Sequence, residues 1–211
     1  MSIIECIDEY FKNVLPGNPV FTNDIYDFVN KKIGNVDKAL FNLNMQRYEK
    51  RNNDLKRYQK GVYYKSVTTP FGNAGINMAE LIRKTYLVNG DDVIGYESGP
   101  SYMNKIGLTT QMPSLTYIVT SKAKYSIEDK ERGVYCIKPV TKINSDNYRY
   151  LQFLDVLENK LHVKVEAKNY VEILRKYIVT YNLSFERLVG YAKYYNDNNV
   201  YTKLSELARV N

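Results

Sequence analysis

Between Ser2 and Lys65 three apolar stripes of helical period, each ended by a turn or a polar stretch, lead into a short basic pattern of two strand-like arms, and few folds accommodate that order. The first stripe, "SIIECIDEYFKNV", places Ile3, Ile7, Tyr10, Phe11 and Val14 on one helical face, with Ser2 as a cap and Glu5 three residues later as its capping-box partner. Pro16, Gly17 and Pro19 in "LPGNP" then stop the helix. In "FTNDIYDFVNKKIG" Thr22 or Asn23 can cap, Asp24 suits the positive first turn, Ile25, Phe28 and Val29 face inward, and Gly34 closes the segment. A third helix is expected from near Asn35, burying Val36, Ala39, Leu40 and Leu43 and presenting Lys38, Phe41, Asn42 and Met45 on the opposite face. "RYEKRNND" reads as a polar loop, and "LKRY" and "GVYYK" read as two strands separated by Gln59, Lys60 and Gly61. Three helices followed by such a hairpin predict a winged helix-turn-helix over residues 1–68, with the third helix as the element that enters a DNA major groove.

Charge supports that assignment. The chain carries a formal net charge of +7 over 211 residues, which favours an anionic partner. Residues 47 to 65 hold seven cations (Arg47, Lys50, Arg51, Lys56, Arg57, Lys60 and Lys65) against Glu49 and Asp54, a local balance of +5, whereas residues 66 to 211 reach only +4 over a much longer span. The candidate DNA-binding residues are Lys38, Asn42, Arg47, Lys50, Arg51, Lys56, Arg57 and Lys60. The wing cations and Arg47 and Lys50 would grip phosphates, which gives affinity and orientation with little sequence information. Asn42 can offer a bidentate amide to adenine and Lys38 can donate to guanine acceptors. Asn42 can equally be a solvated or loop-bonded side chain. Phe41 and Met45 either meet thymine methyls or pack on the 47–54 loop, with packing preferred for Met45. A helix-turn-helix can also serve purely as a protein-docking module, with its basic surface nonspecific and no operator recognised.

The rest of the chain is expected to form a second domain over 76–211, entered through the linker-like "SVTTPFGNAG". Its α/β part, 76–143, contains a helix from about Asn77 to Leu87, a turn at "NGDD", a helix over Ser101 to Ile106 and strands in "SLTYIVTS" and "GVYCIKPV". Its helical part, 144–211, carries aromatic stripes through Tyr148, Leu151 and Leu154, through Tyr170, Leu174 and Tyr177, through Phe185, Leu188 and Tyr195, and through Tyr201, Leu204 and Leu207. The fold class is therefore α/β of the α+β kind. Glu97, Ser98, Ser101 and Tyr102 form the nearest approach to a chemical cluster, but a hydrolase needs a base, and the lone His162 has no orienting acid. Cys6 and Cys136 make neither a CxxC pair nor a zinc pattern. No enzyme, cofactor or metal is expected. The absence of a long apolar run or a signal-peptide pattern points to the cytoplasm.

The pieces "VFTNDIYDF", "VDKALFNL", "LKRYQKGVYYK", "TPFG" and especially "SGPSYMNKIGLTTQMPSLTYIVTS" resemble the AbiEi-type antitoxins of type IV toxin-antitoxin systems, over roughly residues 15 to 140. The resemblance implies a protein that binds double-stranded DNA repeats in its own promoter, represses the toxin operon and counters a nucleotidyltransferase-like toxin without needing a stable complex. It places the recognition helix over Asn35 through Arg47 and wing cations at Lys56, Arg57 and Lys60. Relatives pass from the third helix to the wing through a short glycine turn, whereas this chain has "NMQRYEKRNND" there, so a long 44–54 connection is expected. Paired repeats are compatible with a monomer or a dimer.

Overall fold

The computed structural model describes residues 1–70, 72–195 and 198–209. The chain divides into two compact units, Met1–Leu81 and Ile82–Asn211, and both mix helices with strands, so the protein is a mixed α/β fold.

The first unit runs α1 (Ile3–Lys12), β1 (Val20–Phe21), α2 (Thr22–Ile33), α3 (Lys38–Arg51), β2 (Leu55–Gln59) and β3 (Val62–Lys65). The three strands form one antiparallel sheet in the order β1-β3-β2. The expected capping box opens α1: Ser2 Oγ accepts from Glu5 N at 3.2 Å and the Glu5 carboxylate accepts from Ser2 N at 2.7 Å. The start of α2 differs from expectation, because the helix begins at Thr22 directly from the sheet residue Phe21 and neither Thr22 nor Asn23 caps it. Cys6, Ile7 and Phe11 from α1, Ile25 and Val29 from α2, and Phe41, Met45 and Tyr48 from α3 make the core, closed on the sheet side by Val20, Leu55 and Tyr63. The described residues of the linker-like stretch are held by hydrogen bonds as well. They make a small hairpin, β4 (Thr68–Thr69) with β5 (Gly72–Asn73), and Ser66 N donates to Asp54 O while Asn77 N donates to Gly17 O. Phe71 lies outside the described residues.

Instead of one regular helix over Asn77–Leu87, α4 (Met78–Ile82) is followed by a wider π-helical turn, Arg83–Leu87. In the second unit, the β6 (Val88–Asn89) and β7 (Asp92–Val93) hairpin leads to β8 (Gly95–Ser98), α5 (Gly99–Lys105), β9 (Thr116–Thr120), β10 (Ile127–Asp129) and β11 (Val134–Ile137). The sheet order is β10-β11-β9-β8; β9 and β11 run parallel, and the flanking pairs are antiparallel. The central strand β9 is buried on both faces, as interior strands are: Ile118 packs with Val134 and Cys136, and Val119 packs into the larger core. Gly95 allows β8 to close in, since a Cβ there would stand 2.2 Å from Tyr86 O and 2.7 Å from Val119 O.

Four helices follow: α6 (Tyr148–Glu158), α7 (Tyr170–Thr180), α8 (Phe185–Ala192) and α9 (Asn198–Arg209). Leu151, Phe153, Leu154 and Leu157 bury α6 almost all round, which marks it as the central helix of this core. Tyr150, Tyr177 and Tyr195 are buried in the same core, whereas Tyr170 and Tyr201 stay exposed, so the tyrosine stripes are core only in part. Among the described residues no helix is long and apolar enough to cross a membrane.

Candidate nucleic-acid interface

The candidate surface centres on α3, whose entry is held from both sides. Gly34 N donates to Asn30 O at 2.9 Å, the Asn30 side chain accepts from Val36 N at 2.9 Å, and Tyr26 OH donates to Val36 O at 2.9 Å. Asp37 then caps the helix by accepting from Leu40 N at 2.9 Å, satisfying one of the amides left without a partner at a helix start. Val36 therefore belongs to the turn, and α3 begins at Lys38 rather than Asn35.

That shift accompanies a reversal of the helix faces. The buried residues are Phe41, Asn44, Met45 and Tyr48, while Leu40 and Leu43 are 49% and 43% exposed and Ala39 is exposed too. Two stripes compete in this segment, and burial of Phe41, Met45 and Tyr48 removes more apolar area from water than burial of Ala39, Leu40 and Leu43. Phe41 meets Tyr26 edge to face at 5.2 Å, and Tyr48 stacks on Phe11 at 5.6 Å with rings 12° apart. Tyr48 OH also donates to Asp8 at 3.1 Å. Burial first, and this carboxylate second, push the Tyr48 phenol well up, so it stays a donor. Tyr48 can do this only because the helix continues to Arg51. The expected 44–54 loop is thus mostly helix, and Asn52, Asn53 and Asp54 alone connect α3 to β2.

At 100° per residue, turning residues 41, 44, 45 and 48 inward leaves Ala39, Asn42, Leu43, Gln46, Arg47 and Lys50 facing out, and all are exposed. Lys38 sits at the edge of this face with its ammonium 5.6 Å from the Tyr26 ring centre. Arg51, at the last turn, is exposed on the other edge. The hairpin carries further exposed cations. Leu55, Val62 and Tyr63 are buried and fix β2 and β3 to the unit, while Lys56 and Arg57 on β2 and Lys60 at the tip are exposed. Gly61, with φ of +82°, closes the two-residue Lys60–Gly61 turn in a conformation that suits glycine. Arg57 Nε donates to Gln59 O at 3.4 Å, which leans its guanidinium along the strand edge. Among the described residues none of Arg47, Lys50, Arg51, Lys56, Arg57 and Lys60 takes part in an ion pair. Gln46 and Leu43 belong to the outward face although sequence reading did not select either; the signal for both was the Phe41–Met45–Tyr48 spacing.

In the second unit the residues of the Glu97–Tyr102 cluster are held by an ion pair, hydrogen bonds and burial. Glu97 pairs with Lys105 at 2.9 Å, Ser101 Oγ donates to Ser98 O and accepts from Tyr117 N, and Tyr102 is buried. Ser98 Oγ donates at 3.0 Å to Asp155, which sequence reading did not select and which also accepts from Tyr195 OH at 2.7 Å. His162 lies beyond the end of α6, exposed and with φ of +51°. Lys122 and Lys124 are exposed. The described residues hold no group of His, Cys, Asp and Glu able to bind a metal ion.

Comparison with known protein families finds none that matches this chain, and no curated protein matches it either.

Proposed function

We propose that the first unit is a winged helix-turn-helix that binds double-stranded DNA, with the outward face of α3 in the major groove and the β2–β3 hairpin along the neighbouring backbone as the wing. The observation that carries this reading is the shared exposure of Arg47, Lys50, Arg51, Lys56, Arg57 and Lys60 on a helix and hairpin whose inner faces are locked into one core. The element order and the β1-β3-β2 sheet support it. The resemblance to AbiEi-type antitoxins supports the cellular role: a repressor of its own toxin-antitoxin operon that counters a nucleotidyltransferase-like toxin, with Ile82–Asn211 as the part that does so.

The test is binding of the purified protein to DNA from immediately upstream of its own gene, against scrambled DNA of equal length. Preference of at least about tenfold, or about 1.4 kcal/mol, supports operator reading. Equal binding to both sinks it. A second reading, a protein-docking module with a nonspecific basic surface, is favoured by the exposed Leu40 and Leu43. A stoichiometric partner that co-purifies through nuclease and high salt would establish it.

A further inference from the structure

We propose that the outward face of α3 selects A·T base pairs, with Asn42 and Gln46 reading adenine and Ala39 and Leu43 packing on thymine methyl groups. The inference rests on the DNA-binding reading above and adds the base composition of the site.

With Phe41, Asn44, Met45 and Tyr48 turned into the core, residues 39, 42, 43 and 46 occupy the first two and a half turns of the outer face, and all four are exposed. Their chemistry is one-sided. A carboxamide pairs with the N6 donor and N7 acceptor of adenine, and an apolar side chain fits the C5 methyl of thymine. Guanine is read chiefly by Arg or Lys at its O6 and N7, and cytosine by a carboxylate that accepts from its amino group. The outer face holds no carboxylate before Glu49, whose place on the helix is at the edge. Its first arginine, Arg47, comes about 12 Å along the axis from Ala39 at 1.5 Å per residue. Lys38 lies at the rim with its ammonium over Tyr26. The third amide, Asn44, is spent internally, its Nδ2 donating to Leu40 O at 2.8 Å. What the early turns offer is two amides and two apolar groups, Leu43 being 43% exposed. A thymine methyl would dehydrate that leucine, and an all-G·C groove would leave both it and the amides poorly matched.

The experiment selects binding sites for the full-length protein from randomised duplexes, then measures affinity for the enriched site and its derivatives. A core of at least three consecutive A·T pairs is expected. One A·T to G·C change within it should weaken binding roughly tenfold, within the range for a single mismatched pair. Replacing the core thymines by deoxyuridine removes only the methyl groups; it should weaken the wild type severalfold and weaken Leu43→Ala less, the remaining loss being that at Ala39. Gln46→Ala should relax the preference at adenine while keeping the wild-type salt dependence, a readout that loss of folding would not spare. Enrichment of a G·C core, or indifference of the wild type to deoxyuridine, would overturn the inference and leave DNA binding standing. Failure to bind any duplex would overturn both.

Discussion

The Asp155 carboxyl gives a prediction whose size follows from its surroundings. It is held inside the second unit by Ser98 Oγ at 3.0 Å and Tyr195 OH at 2.7 Å, and the buried Tyr96 hydroxyl stands beside it without an aligned hydrogen bond. Burial disfavours its charged form more than the hydroxyls favour it, so it titrates at about 6 rather than 3.8. The folded state therefore holds this proton more tightly than the unfolded chain, and stability falls as pH rises from about 4 to about 6, then stays low. By linkage the ionised group costs roughly 3 kcal/mol at neutral pH, of which about half returns by pH 5. Other carboxylates act in the opposite sense; at Asp129 burial works against the charged form, but the hydrogen bonds from Tyr86 and Arg132 and the Arg132 charge together outweigh it and hold the carboxyl below its usual range, so its stabilisation is lost as pH falls. The clean quantity is thus the difference between wild type and Asp155→Asn, which removes the titration and keeps the shape. Urea unfolding followed by circular dichroism at pH 7.5, 6 and 5 should show the wild type gaining roughly 1 to 2 kcal/mol on the variant toward pH 5. A difference that does not change with pH, or that moves the other way, would refute the buried-carboxylate account.

The reversed faces of α3 predict that Phe41→Ala costs about 3 to 5 kcal/mol in denaturant unfolding, since Phe41 is fully buried. Leu43→Ala should stay within about 0.5 kcal/mol of wild type. Equal costs for the two would restore the face first expected. Gly95→Ala should destabilise the second unit by roughly 3 kcal/mol, because the new Cβ would meet two backbone carbonyls and no flexible side chain can yield; a calorimetric midpoint unchanged from wild type would contradict this.

Local signals in the sequence were readable where a few adjacent residues decide the outcome. The Ser2–Glu5 capping box, the stop at Gly34 and the glycine turn between the two arms, expected over Gln59–Gly61 and found at Lys60–Gly61 with Gln59 inside β2, are of this kind. The third helix shows where locality ends. Leu40 and Leu43 make a sound stripe, and only the aromatic partners Tyr26 and Phe11, supplied by other helices, tip the balance toward Phe41 and Tyr48. Reading "RYEKRNND" as loop followed from its polarity, which is that of an exposed helix face with one inward tyrosine. The exposed positions of Arg47 through Lys60 were legible because charged groups avoid burial, whereas Gln46 and Leu43 followed from the face that was misassigned. Asp155 gave little sign of its role, since its partners Ser98 and Tyr195 stand 57 and 40 residues away in sequence. The parallel pairing of β9 with β11 was equally hidden, because nothing local specifies which strands meet.

The most direct test of DNA binding through α3 and the hairpin is the slope of log affinity against log salt for wild type and for Lys56→Ala with Arg57→Ala. Each phosphate contact contributes about 0.9 to that slope on duplex DNA, so the double variant should be shallower by about 2 on specific and scrambled DNA alike. A double variant that binds with the wild-type affinity and slope would show that the hairpin does not touch the backbone, and the winged-helix account would fail.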